Sequence, residues 1–514
     1  TVLLLSVLHL FVVGCDGWDE GRERTITMEA FSELKTPAFV FDVQDVRSNL
    51  LAMVKSDDDV TEADRQARSY YTTEGNPLVW LRSTGIDDRA DSLLSWLHRT
   101  HEIGMSERAF CVQDIENDLQ RLRNLDFEEG RNSINRVAAR LEYRLTKACL
   151  RYSYGQRYGF VHPHKIYNSL DAEKKDTAGN VLKYRRLFDV AMDRPSQHYA
   201  RTVIEKVRSD SIADYLTHIQ PTDKYYLQLK SMLPMATGAD YRRRILVNME
   251  RARWRRHQPI ADHGKRIIVN IPAYHLYAYS PEEMLDMRVV CGTLRTKTPQ
   301  LSSHIEYMEV NPQWVIPMSI IENDVARHAG DSAYFARHRY RILERSTNRQ
   351  MNVHAVTTGM LLSGRYRVAQ DGGAGNSLGR IVFRFKNNFS VFLHDTSSPG
   401  AFNRESRAVS HGCVRVSKPF ELARFVLDSP DEWLLDRIRI SMGLEPESLQ
   451  GQEYIETHDK LDYKLISYVP VKPRVPLYII YNTLWPDAAG VMQTWPDVYG
   501  YDNVIWKHLQ PYVR

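Results

Sequence analysis

The 514-residue chain shows two patterns of hydrophobic positions, which meet near residue 262. From about residue 36 to residue 261, apolar residues recur every three or four positions, and this spacing predicts amphipathic helices. The clearest example is 133–153, where Ser133 is placed as an N-cap. Its predicted buried stripe is Ile134, Val137, Leu141, Leu145 and Cys149. The same spacing predicts helices within 203–219, 223–233 and 240–257.

Beyond residue 262 the pattern favours β-strands, because short apolar runs alternate with turn-forming residues. The predicted strands lie within 266–280, 285–292, 306–317, 380–385, 390–394 and 474–485. The polar stretch 318–365 is longer than a connection between strands requires, so it predicts a helical capping or lid insertion. The whole pattern predicts an α+β, multidomain protein, with a helical scaffold domain at 36–261 and a β-rich domain at 262–514.

The first residues form the most apolar run of the chain, 1-TVLLLSVLHLFVVGC-15. This run is too short to cross a membrane as a helix, and it ends in Gly-Cys. It resembles a bacterial lipoprotein signal with its lipobox, which implies that Cys15 carries lipid and that the polar residues 16–35 are a tether. The alternative is a cleaved secretory signal with an incidental cysteine. Both interpretations predict export, and the first predicts a periplasmic lipoprotein in a Gram-negative cell envelope.

Charge and cysteine usage exclude some classes of function. The formal net charge is +4, from 68 basic and 64 acidic residues, which is too small an excess to indicate nucleic-acid binding. The five cysteines form no CxxC pair, so their spacing does not indicate a metal site. The arginine-rich helix within 240–257 has two interpretations: a solvated surface, or a face that binds carboxylates or anionic lipid.

Candidate chemistry centres on the stretch 409-VSHGCVRVSK-418. A nucleophilic thiol needs a base, donors for the oxyanion and room for a substrate. His394 ends an apolar strand, and Cys413 follows 19 residues later, after a polar loop that allows the two to meet. Gly412 allows close backbone approach, and positive charge from Arg415 predicts an acidic thiol. Taken alone, these residues are equally compatible with a buried structural cysteine.

The spacing of these residues resembles a known signature. A histidine, fifteen intervening residues, Ser-His-Gly-Cys and an arginine two positions later resemble the L,D-transpeptidases with a YkuD-type catalytic domain. Further blocks, in the same order, resemble the large YcbB-type branch, which has a helical scaffold domain and a capping insertion. They are 268–274, 298–303, 309–317, 376–385, 393–402 and 413–423.

The resemblance implies roles for particular residues. Cys413 would attack a stem tetrapeptide of peptidoglycan, and His394 would be the general base. The oxyanion would be held by the backbone amides of His411, Gly412 and Cys413, which follow Ser410 in the motif. Substrate-binding candidates are Arg415, Asn376, Tyr366 and Trp314, although for each of the last three a role as a turn or core residue is the favoured interpretation.

The implied reaction is a 3→3 crosslink between two stem peptides that needs no metal or cofactor, and other cell-wall synthases are potential partners. Two alternatives stay open at this point. Water in place of the amine acceptor would give an L,D-carboxypeptidase, and loss of catalysis would leave a lipid-anchored scaffold that binds the cell wall.

Overall fold

The computed structural model describes residues 40–513, except for 83–84, 171–173, 176–180, 184–185 and 374. The predicted lipoprotein signal, Cys15 and the tether lie outside the described residues. The chain divides into two compact units: the first takes in the described residues up to 160, with 194–227 and 510–513, and the second takes in 161–193 and 228–509. Within the described residues, no helix is both long enough and apolar enough to cross a membrane.

The first unit is helical, as the spacing of apolar residues predicts. Its helices are Val43–Ser56, Glu62–Thr72, Arg89–His98, Val112–Asn124, Ile134–Tyr158, Gln197–Arg208 and Ile212–His218, with 3₁₀ turns at Arg99–Ile103 and Glu107–Phe110. The long helix Ile134–Tyr158 is central, because most of the other helices of the unit pack on it and all five predicted stripe residues are buried. The segment 203–219 forms parts of two helices, since Asp210 adopts a left-handed φ of 58° between them.

The second unit contains most of the strands of the chain. Strands β1 to β8 are Lys174–Lys175, Val181–Lys183, Phe188–Asp189, Arg266–Asn270, His275–Tyr279, Met284–Gly292, Gln300–Val310 and Trp314–Val315. Strands β9 to β17 are Tyr340–Glu344, Tyr366–Gln370, Ile381–Phe385, Leu393–His394, Ala408–Ser410, Val414–Val416, Tyr468–Ile480, Leu484–Pro486 and Met492–Thr494. The helices outside the insertion are Pro163–Asn168, Ala239–Arg253, Pro419–Val426, Glu432–Met442 and Leu449–Thr457. Two further helices, Lys224–Met232 and Tyr501–Val513, each contain a boundary between the units.

A ten-stranded sheet of the described residues forms the core of this unit, in the order β11-β12-β14-β6-β5-β4-β15-β7-β3, with β13 on β6. Strand β11 also pairs with β7, which closes the central strands into a ring. The apolar strand residues fill its interior; Val269, Val289, Ile305 and Phe383 are fully buried. The prediction of a helical half followed by a β-rich half is confirmed.

The arginine-rich helix Ala239–Arg253 belongs to the β-rich unit, because most of its contacts are made there. The sequence pattern had assigned it to the helical domain, which was predicted to end at residue 261. Neither interpretation of its arginines fits all of them. Arg251 and Arg253 are buried, and Arg251 forms an ion pair with Asp502 at 2.7 Å. Sequence spacing cannot reveal this pairing, because the acidic partner is 251 positions away.

The predicted insertion is a small folded body rather than an open loop. Strands β8, β10 and β9 form a sheet in that order, and Trp314 pairs with Gln370 at its base. Helices Met318–Ile320, Ser332–Arg337 and Thr358–Leu362 and a π-turn at Ile321–Val325 complete it. Its core contains the aromatic residues Tyr334 and Phe335, which are both buried.

Candidate active site

The register of two short strands brings the predicted base and nucleophile to one face of the sheet. Strand β12 pairs in parallel with β14, with Leu393 opposite Val414 and His394 opposite Arg415. Because side chains alternate between faces along an extended chain, Cys413 lies on the same face as Arg415, two positions later. His394 shares that face, since it stands directly opposite Arg415.

The imidazole of His394 is oriented by a backbone carbonyl. His394 is 4 % exposed, and its Nδ1 lies 2.5 Å from the carbonyl oxygen of Asp395. An Nδ1–H that donates to this carbonyl places the lone pair of the neutral ring on Nε2. The carboxylate of Asp395 accepts a hydrogen bond from the backbone N–H of Arg380 at 2.8 Å, so it is the backbone of Asp395, and not its side chain, that orients the imidazole.

The loop that presents Cys413 is held in place from both sides. The Ser410 hydroxyl donates to the carbonyl of Cys413 at 2.6 Å, and Thr298 Oγ1 donates to the carbonyl of Gly412 at 2.9 Å. Gly412 has a φ of 116°, which a residue with a side chain rarely adopts. The thiol itself is half-buried and donates to the carbonyl of Ser390, with Sγ 3.7 Å from the oxygen.

The donors available for an oxyanion differ from the predicted set. The Gly412 N–H already donates to Ser410 Oγ at 3.1 Å, so it is not free in this arrangement. The N–H groups of His411 and Cys413 have no acceptor within the described part of the chain. Two amides rather than three therefore remain as candidate oxyanion donors.

The electrostatics of the site correct the expectation of an acidic thiol. Burial raises the pKa of Cys413 above its ordinary value, and the backbone of Phe392 and the charges of Arg384 and Arg415 oppose this only in part. Burial, followed by the charge of Arg415, lowers the pKa of His394 to about 4. At neutral pH both groups are therefore uncharged: the thiol holds its proton and the imidazole can accept one.

Of the predicted substrate-binding residues, Arg415 lies beside His394, whereas the other three have internal roles. Asn376 is buried, donates to the carbonyl of Asp371 at 2.9 Å and accepts from the N–H of Leu378 at 2.7 Å, so it shapes a turn. Tyr366 belongs to the core of the insertion and Trp314 packs against it. The turn and core roles that the sequence favours for these three residues are the ones that the structure shows.

Sequence reasoning missed several residues that support the site. Tyr499 donates to the carbonyl of Gly292 at 2.7 Å and accepts from the N–H of Thr298 at 3.1 Å. It thereby fixes Thr298, whose hydroxyl donates to the carbonyl of Gly412 beside Cys413. No local signal joins Tyr499 to Thr298, because they lie 201 residues apart. For Arg384 the sequence does contain a signal. Arg384 follows Val382 by two positions in the strand run 381-IVFRF-385, so both side chains lie on one face of the strand. Val382 pairs with His394, so that face is the face of the catalytic pair.

Comparison with known proteins finds similar sequences for both parts of the chain. A family model described as the L,D-transpeptidase catalytic domain, YkuD, matches residues 264–440, and a model described as the Scaffold domain matches residues 65–233. A protein of Haemophilus influenzae named "Putative L,D-transpeptidase" is 27 % identical over 333 residues, which are 62 % of this chain and 63 % of that protein. The chain thus spans less than two thirds of that relative's length.

A solved L,D-transpeptidase from Mycobacterium smegmatis is 13 % identical over 42 % of this chain and 58 % of that chain. Its TM-score is 0.19, so no argument rests on it. The fold and the family models define an α+β protein with a YkuD-type L,D-transpeptidase catalytic domain. This domain follows a Scaffold domain, a combination consistent with the YcbB-type branch that the sequence resembles.

Proposed function

We propose that the protein is a peptidoglycan L,D-transpeptidase that forms 3→3 crosslinks through a thioester on Cys413, with His394 as the general base. The observation that carries the proposal is the β12–β14 register, which sets both side chains on one face while Asp395 fixes the imidazole. The YkuD-type domain supports the same class of reaction.

The acylation step follows from the uncharged resting pair. Cys413 Sγ attacks the carbonyl carbon between the third and fourth residues of a stem tetrapeptide, while His394 Nε2 takes the thiol proton. The oxyanion is held by the N–H groups of His411 and Cys413, and each such donor contributes roughly 3 kcal/mol in comparable hydrolases. The imidazolium then protonates the departing amine, so D-alanine leaves and a thioester remains.

The second step transfers the peptide. A side-chain amine of a second stem peptide attacks the thioester, and His394 removes a proton from the amine. Collapse of the tetrahedral intermediate expels the thiolate, which recovers its proton from the imidazolium. One amide bond has been exchanged for another, and no oxidant or further reactant is consumed.

A membrane-anchored, periplasmic location belongs to the same proposal. It is supported by the sequence pattern that ends at Cys15, and the substrate would be found in that compartment. Other cell-wall synthases are proposed as partners.

The purified protein incubated with tetrapeptide muropeptides tests the proposal, with products identified by mass. We expect a crosslinked dimer that has lost one D-alanine, and no product from Cys413→Ala. Cys111→Ala is the matched control, because it removes a half-buried thiol of the helical unit. Tripeptide without dimer would favour the carboxypeptidase alternative, and no product from the wild type would favour the non-catalytic scaffold.

A further inference from the structure

The net positive charge of the chain is concentrated in the insertion. Residues 315–369 contain eight arginines, four acidic residues and no lysine, which gives them a net charge of +4. The whole chain also has a net charge of +4, so the remaining residues are balanced, with 60 basic and 60 acidic side chains. An excess of charge confined to one small folded body indicates a local interaction rather than a general contribution to solubility.

Five of these arginines lie around one side of the small sheet of the insertion. The core of the insertion takes Ile342 from β9 and Val368 from β10. Because side chains alternate between the faces of a strand, the residues next to them in sequence point to the opposite face. That face and the exposed residues at its end carry a group that we call the arginine face: Arg341, Arg345, Arg349, Arg365 and Arg367.

Two arginines of this face are paired with carboxylates. Arg341 forms an ion pair with Asp371, and Arg365 forms one with Glu344 at 2.6 Å. Both arginine side chains are partly exposed, 38 % for Arg341 and 68 % for Arg365, so water screens these pairs. The two carboxylates leave three of the five positive charges to be accounted for.

The other three guanidinium groups have no carboxylate partner within the described residues. Arg367 donates to a neutral acceptor, Asn348 Oδ1, at 2.6 Å. Arg345 and Arg349 are exposed, and in the described part of the chain their guanidinium groups form neither an ion pair nor a hydrogen bond. These donors are therefore available to a ligand that approaches from solvent.

The three uncompensated arginines come from neighbouring strands. Leu343 of β9 lies opposite Arg367 of β10 on one side, and it pairs with Gln350 on the other side. Arg349 precedes Gln350, and Arg345 follows the end of β9. Adjacent strands are about 5 Å apart, so the three Cα atoms lie within roughly 10 Å of one another. This is about one Debye length at physiological salt, so the charges repel one another and an anionic partner relieves the repulsion.

The chemistry of the arginine face favours a polymer that carries carboxylates. A guanidinium binds a carboxylate through two N–H groups, whereas an ammonium acts as a point charge, and every basic residue of the insertion is arginine. The exposed stretch 345–350 is polar throughout, so it offers no apolar side chain to a lipid bilayer. One exposed ion pair contributes about 1 kcal/mol or less, so useful affinity requires several carboxylates on one ligand.

We propose that the arginine face binds peptide carboxylates of the peptidoglycan polymer, at a surface separate from the site that holds the donor peptide on Cys413. The inference rests on the proposed function and adds an interaction surface to it. Several weak arginine–carboxylate contacts keep the catalytic domain on the polymer, and they take no part in the transfer of the acyl group.

Cosedimentation of the full chain with insoluble peptidoglycan sacculi tests this proposal. The test variant is Arg345→Gln/Arg349→Gln/Arg367→Gln, which removes the three uncompensated charges. We expect its affinity for sacculi to be roughly tenfold lower than that of the wild type, as for the loss of three exposed ion pairs. Wild-type binding should weaken as salt is added, and it should fall to the level of the variant on sacculi whose carboxylates have been amidated.

The matched control is Arg65→Gln/Arg99→Gln/Arg208→Gln, which removes the same charge from three exposed arginines of the helical unit. It should bind sacculi like the wild type. An equal loss in both triple variants, or no loss in the test variant, would overturn the inference. So would a test variant that loses binding to vesicles of phosphatidylglycerol while it keeps its affinity for sacculi.

Turnover of soluble tetrapeptide muropeptides separates this inference from the proposed function. The wild type and both triple variants should turn over these donors at equal rates, because the arginine face does not touch the reacting groups. A wild type that turns over soluble donors but does not sediment with sacculi would overturn the inference alone. A wild type that sediments with sacculi but turns over no donor would overturn the proposed function.

Discussion

At the scale of single residues, the site combines a protonated thiol with an unprotonated imidazole. Burial moves the two pKa values in opposite directions, up for Cys413 and down to about 4 for His394. A resting thiolate–imidazolium pair would need the opposite order. The nucleophile therefore forms as the substrate is attacked, and the charges of Arg415 and Arg384 influence the pKa of both groups.

Replacing Arg415 with glutamine tests this balance of charges. Arg415 lowers the pKa of the thiol and of the imidazole, so its loss should raise both. We expect alkylation of Cys413 by iodoacetamide to require a higher pH in Arg415→Gln than in the wild type. The acid limb of kcat/KM, set near pH 4 by His394, should also move upward, because a base with a higher pKa is lost to protonation at a higher pH.

Arg424→Gln serves as the control, since Arg424 pairs with Glu283 on an exposed surface. Both profiles should be unchanged in that variant. An alkylation profile that stays in place, or moves to lower pH, in Arg415→Gln would contradict this description of the site.

At the scale of elements, side-chain hydrogen bonds fix the position of segments that are short or irregular. Strands β12 and β14 have two and three residues, yet the Ser410 and Thr298 hydroxyls fix the loop between them. The helical unit uses the same principle. The fully buried carboxylate of Glu142 accepts the N–H groups of Trp80 at 2.9 Å and Leu81 at 3.1 Å, so an irregular segment docks on the central helix.

Glu142→Gln tests this docking. The amide keeps the size of the side chain but turns one acceptor into an N–H donor that faces backbone N–H groups. We expect the free energy of unfolding of the helical unit to fall by about 2 to 3 kcal/mol, seen as a lower Tm. Glu74→Gln, at an exposed position, should leave Tm unchanged. A Tm of Glu142→Gln equal to that of the wild type would show that the carboxylate does not stabilise the segment.

At the scale of the whole molecule, periodicity in the sequence predicts the two architectural halves and the insertion, because it reports which residues are buried. It does not report which core receives them. Tyr366 was therefore a candidate for substrate binding, whereas it packs inside the insertion. The spacing of His394 and Cys413 predicts that they can meet, but the occupied Gly412 amide depends on a local hydrogen bond that spacing does not encode.

The insertion adjoins the catalytic base through one loop. Asn376 joins the carbonyl of Asp371, at the base of the insertion, to the N–H of Leu378, whose backbone also contacts the His394 imidazole. We expect the insertion to limit water at the thioester. Replacing 315–369 with a Gly-Ser linker keeps Trp314 and Gln370, which pair at the base.

That variant should leave alkylation of Cys413 intact and lower the ratio of crosslinked dimer to hydrolysed tripeptide, measured by mass. A variant that replaces only the exposed segment 346–348 with Gly-Ser-Gly is the control and should keep the wild-type ratio. An unchanged ratio in the large replacement would show that the insertion does not govern the choice between amine and water.

The central claim, a thioester on Cys413 formed with His394 as base, is tested most directly by the intact mass of the protein after rapid mixing with donor tetrapeptide alone and quenching in acid. We expect a mass increase equal to the donor less D-alanine, located on the peptide that contains Cys413 and removed by hydroxylamine. The adduct should form much more slowly in His394→Ala and not at all in Cys413→Ala. An adduct of the same mass in Cys413→Ala, or turnover by the wild type with no adduct on Cys413 at any time, would contradict the claim.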